Sequence, residues 1–184
     1  MPEPLDAAVD AARSGDRAAI SLLFRDLQPR LLRYLRSQLP EGAEDVASET
    51  WLALAPRLGE VEGGVVGLRR LAFTIARRRL VDERRRRAAR PVPADGPMPE
   101  DAAGLRSGTE DEAIAALGAQ EAVDLVVRTL PADAAEIVLL RVVAGLSADE
   151  VAVILGRTPG AIRVAQHRAL ARLAEALDGS AVTR

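Results

Sequence analysis

Residues 130–173 read LPADAAEIVLLRVVAGLSADEVAVILGRTPGAIRVAQHRALARL, and they predict the architecture of the C-terminal half of the chain. Ser147 and Glu150 have the spacing of a capping box, which predicts that a helix begins just after Ser147. Gly156 favours the left-handed conformation that ends a helix, and Thr158 followed by proline is typical of the start of the next one. Two helices joined by so short a turn predict a helix-turn-helix.

The second helix of this motif has two chemically different sides when its residues are spaced about 100° apart. The side predicted to face the core carries Ile162, Ala165, Ala169 and Leu173, and the opposite side carries Gly160, Arg163, Val164, His167 and Arg168. Residues 157–172 contain four arginines and no acid. A helix N-terminus attracts phosphate, and the major groove admits one helix, so the pattern predicts DNA binding. The alternative is a helical hairpin with a solvated outer face.

Residues 91–112 separate this motif from the rest of the chain. They contain four prolines, three glycines and six acids without an apolar period, which is typical of a flexible linker. We therefore expect two small helical domains, at residues 1–90 and 113–178, followed by a tail at 179–184.

An arginine-rich helix is predicted at residues 67–90. Residues 66–90 hold ten arginines against Asp82 and Glu83, although the net charge of the whole chain is −2. Clustered arginine on one element is an electrostatic footprint for a polyanion. The inner side of this helix is predicted to carry Leu68, Leu71, Ala72, Ile75 and Ala76, with Arg69, Arg70, Arg77 and Arg78 largely outside it.

The remaining N-terminal sequence predicts a helical bundle. Helices are expected at residues 5–13, 17–27, 31–39 and 44–58, with Pro29 bending or restarting the chain and a loop at 59–67. Ile20, Leu23, Phe24 and Leu27 have helical spacing and are predicted to face the core. Asp45 and Glu49 form an acidic face, for which solvation and a partner surface are equally good interpretations.

Composition supports an all-α fold and excludes several classes of site. Of the 184 residues, 48 % are apolar and only 2 % aromatic, and the apolar residues are mostly Ala, Leu and Val. The chain has no cysteine and a single histidine, which excludes disulfide scaffolds, cysteine-ligated zinc and multi-histidine metal sites. No catalytic constellation, cofactor fingerprint, membrane span or signal peptide is found. We expect a cytoplasmic protein that is not an enzyme and binds no cofactor.

Four segments together resemble the sigma-70 family of bacterial RNA polymerase sigma factors, in the small extracytoplasmic-function group. SGDRAAISLLFRDLQPRLLRYLRS (residues 14–37), AEDVASETWLAL (43–54) and LAFTIARRRLVDERRRR (71–87) resemble conserved region 2. Residues 130–173 resemble region 4. The segments occur in the family's order, with the linker between them.

The resemblance implies a factor that binds core RNA polymerase, directs it to specific promoters and helps to open promoter DNA. It implies contact with the beta-prime clamp helices through a surface of region 2 that includes Asp45, Glu49, Thr50 and Trp51, and it implies the beta subunit as a further partner. It implies contact with the minus-10 element through Arg77, Arg78, Asp82, Arg84 and Arg85, with a base held near residues 60–67. It implies contact with the minus-35 element through Arg157, Thr158, Arg163, Val164, His167 and Arg168. Members of this group are commonly inhibited by an anti-sigma factor, so that partner is expected too.

Two other interpretations remain open at this point. A stand-alone helix-turn-helix regulator shares the C-terminal motif, but it leaves the acidic face and the arginine-rich helix without a role. A serine recombinase with a C-terminal helix-turn-helix needs an α/β catalytic domain, and no strand-like alternation supports one.

Overall fold

The computed structural model describes residues 4–89 and 110–181, and every regular element in these two ranges is helical. The all-α prediction is therefore confirmed. The α-helices are α1 (Pro4–Arg13), α2 (Arg17–Gln38), α3 (Ala43–Leu54), α4 (Gly64–Ala89), α5 (Glu110–Thr129), α6 (Ala132–Val138), α7 (Ala148–Leu155) and α8 (Pro159–Ala181). A 3-10 helix at Ala55–Glu60 follows α3, and a π-helical turn at Leu139–Val143 follows α6. Most of the predicted linker, together with Arg90, lies outside the described residues; its last three positions are in α5, and α8 continues into the predicted tail.

Helix α2 runs without a break through Pro29, so the prediction of two separate helices over 17–27 and 31–39 was wrong. Asp16 caps the helix as its spacing indicates, because its carboxylate accepts hydrogen bonds from the backbone N–H groups of Ala18 and Ala19. A proline inside a helix costs about 3 kcal/mol or more in its isolated propensity. Leu27 and Leu31 are both buried on either side of the proline, and their packing in the core offsets this cost.

Helix α4 begins at Gly64, three residues earlier than the sequence predicts. The residue that stabilises this earlier start is distant in the sequence. The Asp6 carboxylate of α1 accepts a hydrogen bond from the Val65 backbone N–H at 2.8 Å. Gly67 is required inside the first turn, since a Cβ there would lie 1.7 Å from the Glu62 carbonyl oxygen. The predicted loop at residues 59–67 is therefore reduced to residues 61–63 between the 3-10 helix and α4.

Helix α3 ends at Leu54, so the predicted helix over residues 44–58 was also too long. Pro56 has no N–H to continue the α-helical ladder, and the chain tightens into the 3-10 helix instead. Within α3, Val46, Thr50 and Leu54 are buried.

The N-terminal core forms where α2, α3 and α4 meet, with α1 packed across α2 and α4. Tyr34 and Phe73 lie at its centre, fully buried, with ring centroids 5.4 Å apart in an edge-to-face arrangement. The predicted inner stripe of α4 is confirmed except that Leu71 is only half-buried. On α2, Leu23 and Leu27 are buried, but Ile20 and Phe24 are exposed, contrary to prediction.

The C-terminal helices follow the local signals closely. Ser147 and Glu150 form the complete capping box, and Gly145 and Gly156 adopt φ values of +71° and +65°. The inner side of α8 packs where predicted, with Ile162, Ala169 and Leu173 buried and Ala165 half-buried.

The two sets of helices pack against each other. Helix α2 contacts α5 and the π-helical turn, and α4 contacts α7. One cluster of buried apolar side chains runs from Leu27 and Leu31 of α2 to Ile137, Leu139 and Leu140 of the α6 segment. The sequence does not indicate whether the two sets of helices pack together, and the structure shows that they are in direct contact.

Candidate nucleic-acid interface

The turn between α7 and α8 presents one face of α8 to solvent. The Thr158 hydroxyl accepts a hydrogen bond from the Ala161 backbone N–H at 3.3 Å, which confirms its predicted capping role. Burial of Ile162 turns the opposite side of the helix outward. Arg163, Val164, His167 and Arg168 are all exposed there, and Val164 retains half of its possible surface. This face can enter a groove of duplex DNA without rearrangement of the helix.

Two arginines at this surface are already paired with carboxylates. Arg157 donates to Asp133 at 2.7 Å, and Arg163 donates to Asp149 at 3.2 Å. All four side chains are exposed, so these pairs contribute little to stability and exchange readily for other anions. Both arginines are therefore available to phosphates or base edges.

The basic half of α4 carries its predicted contact residues on two adjacent strips of the helix. Arg77 and Arg84 are seven residues apart and share one strip, while Arg78 and Arg85 share the next, with the half-exposed Asp82 at its edge. Arg84 donates to the Gln38 carbonyl and to its side-chain oxygen, both at 2.7 Å. Arg78 and Arg85 are exposed.

Arg77 faces the C-terminal helices. Its guanidinium donates to the Glu136 carboxylate, with Nε to Oε1 at 3.0 Å and a second nitrogen to Oε2 at 3.5 Å. The same Oε1 accepts a hydrogen bond from the Tyr34 hydroxyl at 3.1 Å. Burial, reinforced by the Glu136 charge, raises the pKa of Tyr34 well above 10.

The acidic face of α3 has exposed and buried members. Asp45 is exposed, and the half-exposed Glu49 lies 3.7 Å from Arg79. Trp51 is half-buried, with its indole N–H donating to Gln28 at 2.6 Å and its ring 5.0 Å from that of Phe24. Thr50 has no exposed surface and donates to the Val46 carbonyl, so it can only position its neighbours.

A surface residue that sequence reasoning missed is Leu52, which is 77 % exposed on α3. It lies on the side of α3 opposite the buried stripe of Val46, Thr50 and Leu54, and that misfit in helical spacing is the signal that could have identified it. Leu52 and Glu49 line an open groove of about 530 Å³ between α3 and α4, together with Ala53, Arg79, Asp82 and Arg86. Leu52 thus places one exposed apolar side chain among the charged side chains of this groove.

The segment at residues 60–67 borders a smaller cavity of about 220 Å³. Its walls include Glu60, Glu62 and Gly67 of that segment and Arg70 and Thr74 of α4. Val153 of α7 supplies a further wall, so this cavity lies where the two sets of helices approach each other.

No helix in residues 4–89 or 110–181 is long and apolar enough to cross a membrane. Within the same ranges, no three His, Asp or Glu side chains are grouped as ligands for a metal ion.

Comparison with known families gives two matches. Residues 23–90 match the family model described as Sigma-70 region 2, and residues 120–173 match the one described as Sigma-70, region 4. Each match contains the candidate DNA-contacting residues of its own half of the chain.

Curated relatives resemble the chain over most of its length. It is 37 % identical over 178 residues to the ECF RNA polymerase sigma factor SigD of Mycobacterium tuberculosis, covering 93 % of this chain and 82 % of that one. It is 36 % identical over 180 residues to the ECF RNA polymerase sigma factor ShbA of Streptomyces griseus, covering 92 % of this chain and 93 % of that one. The solved structure of CnrH in complex with the cytosolic domain of CnrY has the same fold, with a TM-score of 0.58, 20 % identity and coverage of 95 % and 97 %.

Tyr34 provides a test of the buried Tyr34–Glu136 contact, because it is the only tyrosine in the chain. Its raised pKa predicts that the folded protein shows no tyrosinate absorbance as the pH passes through 10, whereas the urea-unfolded chain titrates there. The sign for stability follows from linkage. The stability that comes from the raised pKa of Tyr34 is fully present below pH 10. It is lost as the pH rises above 10, since only the unfolded chain then ionises. Ionisation near pH 10 in the folded chain, monitored in parallel by Trp51 fluorescence, would contradict the buried contact.

Proposed function

This chain belongs to the sigma-70 family, as a member of its extracytoplasmic-function group. We propose which of its segments carries each function of a promoter-specific initiation factor. Residues 1–90 act as region 2, which binds core RNA polymerase and the minus-10 element. Residues 113–178 act as region 4, which binds the minus-35 element. Residues 91–112 connect the two, and residues 179–184 form a tail.

The observation that carries this proposal is that one chain has two basic helical surfaces and a third surface that is acidic and apolar. Helix α4 and the outer face of α8 offer arginine to nucleic acid, whereas α3 offers Asp45, Glu49 and the exposed Leu52. A stand-alone DNA-binding regulator needs only the α8 surface. Three such surfaces fit a factor that holds DNA and a large protein partner together.

On the region 4 side, the exposed face of α8 enters the major groove at the minus-35 element. Arg163 and Arg168 reach phosphates or guanine edges, His167 adds a further polar contact, and Val164 packs against the groove. Arg157 and Thr158 lie at the helix N-terminus, where the positive end of the helix dipole favours a phosphate.

On the region 2 side, Arg77, Arg78, Arg84 and Arg85 hold the backbone of the melted minus-10 strand, and Asp82 borders the same strip. A base leaves the stack and is held beside residues 60–67, which costs a few kcal/mol that the arginine contacts offset. The polymerase partner contacts Asp45, Glu49, Trp51 and Leu52 through its beta-prime clamp helices, and its beta subunit is a further partner. Thr50 supports that surface from beneath.

The remaining assignments follow from the same role. The chain acts in the cytoplasm, where its polymerase and DNA partners are, without inserting into a membrane. It catalyses no reaction of its own, and RNA synthesis belongs to the polymerase. An anti-sigma factor is its expected inhibitor.

The chain is predicted to co-elute stoichiometrically with sigma-free core RNA polymerase on a sizing column. Leu52→Arg should weaken this association, because a charge replaces the apolar side chain in the α3–α4 groove. Val142→Arg is the matched control, since Val142 is 62 % exposed on the C-terminal half and lies outside that groove. Elution of the folded wild-type chain apart from active core would favour an independent regulator.

Arg163→Ala is predicted to weaken promoter binding of the reconstituted holoenzyme by about 1–3 kcal/mol if the arginine reads a guanine edge, with the loss confined to one position of the minus-35 element. Promoter titrations over single-base variants measure this. Asp149→Ala is the control, because it frees Arg163 from the carboxylate with which it pairs without removing the arginine. Equal weakening on every promoter variant would make Arg163 a phosphate contact instead.

Arg84→Ala with Arg85→Ala is predicted to reduce open-complex formation while co-elution with core polymerase is kept. Permanganate reactivity of unpaired thymines reports the opening, and the salt dependence of binding should fall by about one unit of slope per phosphate contact removed. Arg17→Ala is the control, an exposed arginine at the start of α2. Normal opening by the double variant would remove both residues from the minus-10 assignment.

A further inference from the structure

We propose that Val164 is a specificity-determining residue of the minus-35 interaction, and that it selects a thymine by packing against the 5-methyl group of that base. This assignment rests on the role proposed above for the outer face of α8, and it adds the chemical group that the face recognises. The same contact accepts 5-methylcytosine, which carries its methyl group on the same ring carbon.

The line along α8 that faces directly away from the core is apolar. A helical spacing of about 100° per residue places Val164 nearly opposite Ile162, which is fully buried. Gly160, one turn earlier, and Ala171, about two turns later, lie on the same line and are exposed. Val164 keeps 50 % of its surface exposed, so half of this side chain has no apolar contact within the fold.

The cations of this face lie beside that line rather than on it. Arg163 and His167 are exposed on one side of Val164, and Arg168 is exposed on the other. In the major groove the phosphates form the two edges, and the base edges form the floor. The flanking cations are therefore directed toward the sides of the groove, and Val164 is directed toward the base edges.

The turn before Val164 permits a close approach to DNA. The Cα–Cβ bonds of a helix tilt toward its N-terminus, so the Val164 side chain lies over the turn that contains Gly160. A Cβ built on Gly160 would have no neighbour among the described residues within 4 Å outside its own turn. The fold therefore does not need glycine here, although glycine has a lower helix propensity than alanine. The missing side chain instead lets the backbone and Val164 come nearer to a base.

The backbone donors next to this line are already engaged. The Ala161 N–H donates to the Thr158 hydroxyl at 3.3 Å, and the Ile162 N–H donates to the Thr158 carbonyl at 3.1 Å. The surface around Val164 therefore offers a base an apolar contact rather than a hydrogen bond.

Thymine is the base that matches such a contact. Among the groups that the four bases present in the major groove, the 5-methyl group of thymine is the apolar one. A valine directed at the floor buries this methyl group. Against adenine, guanine or cytosine it supplies neither a donor nor an acceptor, so their polar groups lose water without gaining a partner.

The experiment uses the full chain assembled with core RNA polymerase and a library of duplex DNA randomised across the promoter length. The library is made once with thymidine and once with deoxyuridine, which lacks only the 5-methyl group. The wild-type holoenzyme should enrich thymine at one minus-35 position and should show no matching enrichment of uracil. Val164→Ala should lose the preference at that position alone. Val142→Ala, at an exposed valine of the π-helical turn, is the matched control and should keep it.

Binding to the selected duplex measures the size of the contact. Replacing thymine by uracil at that position should weaken wild-type binding about fourfold, the ratio expected when one methyl group leaves an apolar contact. The replacement should leave binding by Val164→Ala unchanged. At the same position, 5-methylcytosine should bind the wild-type holoenzyme about fourfold more tightly than cytosine does, which separates the methyl group from the other features of thymine.

Gly160→Ala tests the close approach. It should weaken binding to the selected duplex while the melting temperature of the free chain does not fall, because the added methyl group meets nothing in the fold. Unchanged binding by this variant would contradict the close approach of the backbone to the base.

The outcomes distinguish the contact of Val164 from the function on which it rests. Equal enrichment of thymine and uracil at every position overturns the assignment to Val164 and leaves the minus-35 role of α8 in place. If Arg163→Ala, Val164→Ala and Arg168→Ala combined leave both the enriched motif and the affinity unchanged, the minus-35 role of α8 fails, and the assignment to Val164 fails with it.

Discussion

Helix α4 imposes the constraint on which the structure depends, because one helix of 26 residues must bury one side and keep arginines in water on the other. Its apolar side supplies Leu68, Phe73 and Leu80 to the core, and α1, α2 and α3 all pack on it. Its arginines then have two options, solvent or a carboxylate. Most take the first or pair loosely at the surface, whereas Arg69 pairs with Asp26 and Arg77 with Glu136. The Arg77–Glu136 pair joins the two sets of helices beside the apolar cluster that they share.

Features whose cause is local were predictable from the sequence. The capping box at Ser147, the cap at Asp16 and the left-handed glycines at 145 and 156 each depend on residues no more than four positions away. The inner and outer sides of α8 follow from helical spacing alone, since Ile162 and Leu173 are buried and Arg163 is exposed. For the same reason the candidate DNA-contacting face of α8 could be named before the fold was known.

Features whose cause is distant were not predictable. The start of α4 depends on Asp6, 59 positions away, and the persistence of α2 through Pro29 depends on core packing. Phe24 is exposed and packs on the ring of Trp51, 27 positions away, instead of entering the core. In the sequence, Glu136 stands out only as the one acid in an apolar run. Its partners Tyr34 and Arg77 lie 102 and 59 positions away. No pattern within one segment identifies such a pair.

The two candidate DNA surfaces differ in what must be displaced before they can bind phosphate. On α8, the exposed pair of Arg163 with Asp149 is screened by water, so its loss costs well under about 1 kcal/mol. On α4, Arg77 keeps a third of its side-chain exposure and Glu136 a fifth, and separating them leaves a carboxylate and the buried Tyr34 hydroxyl without their partners. A partly buried charge that loses its partner is penalised far more than an exposed one. The α8 surface is therefore ready as folded, whereas on α4 the exposed Arg78 and Arg85 are ready and Arg77 becomes available only when water or another anion replaces Glu136.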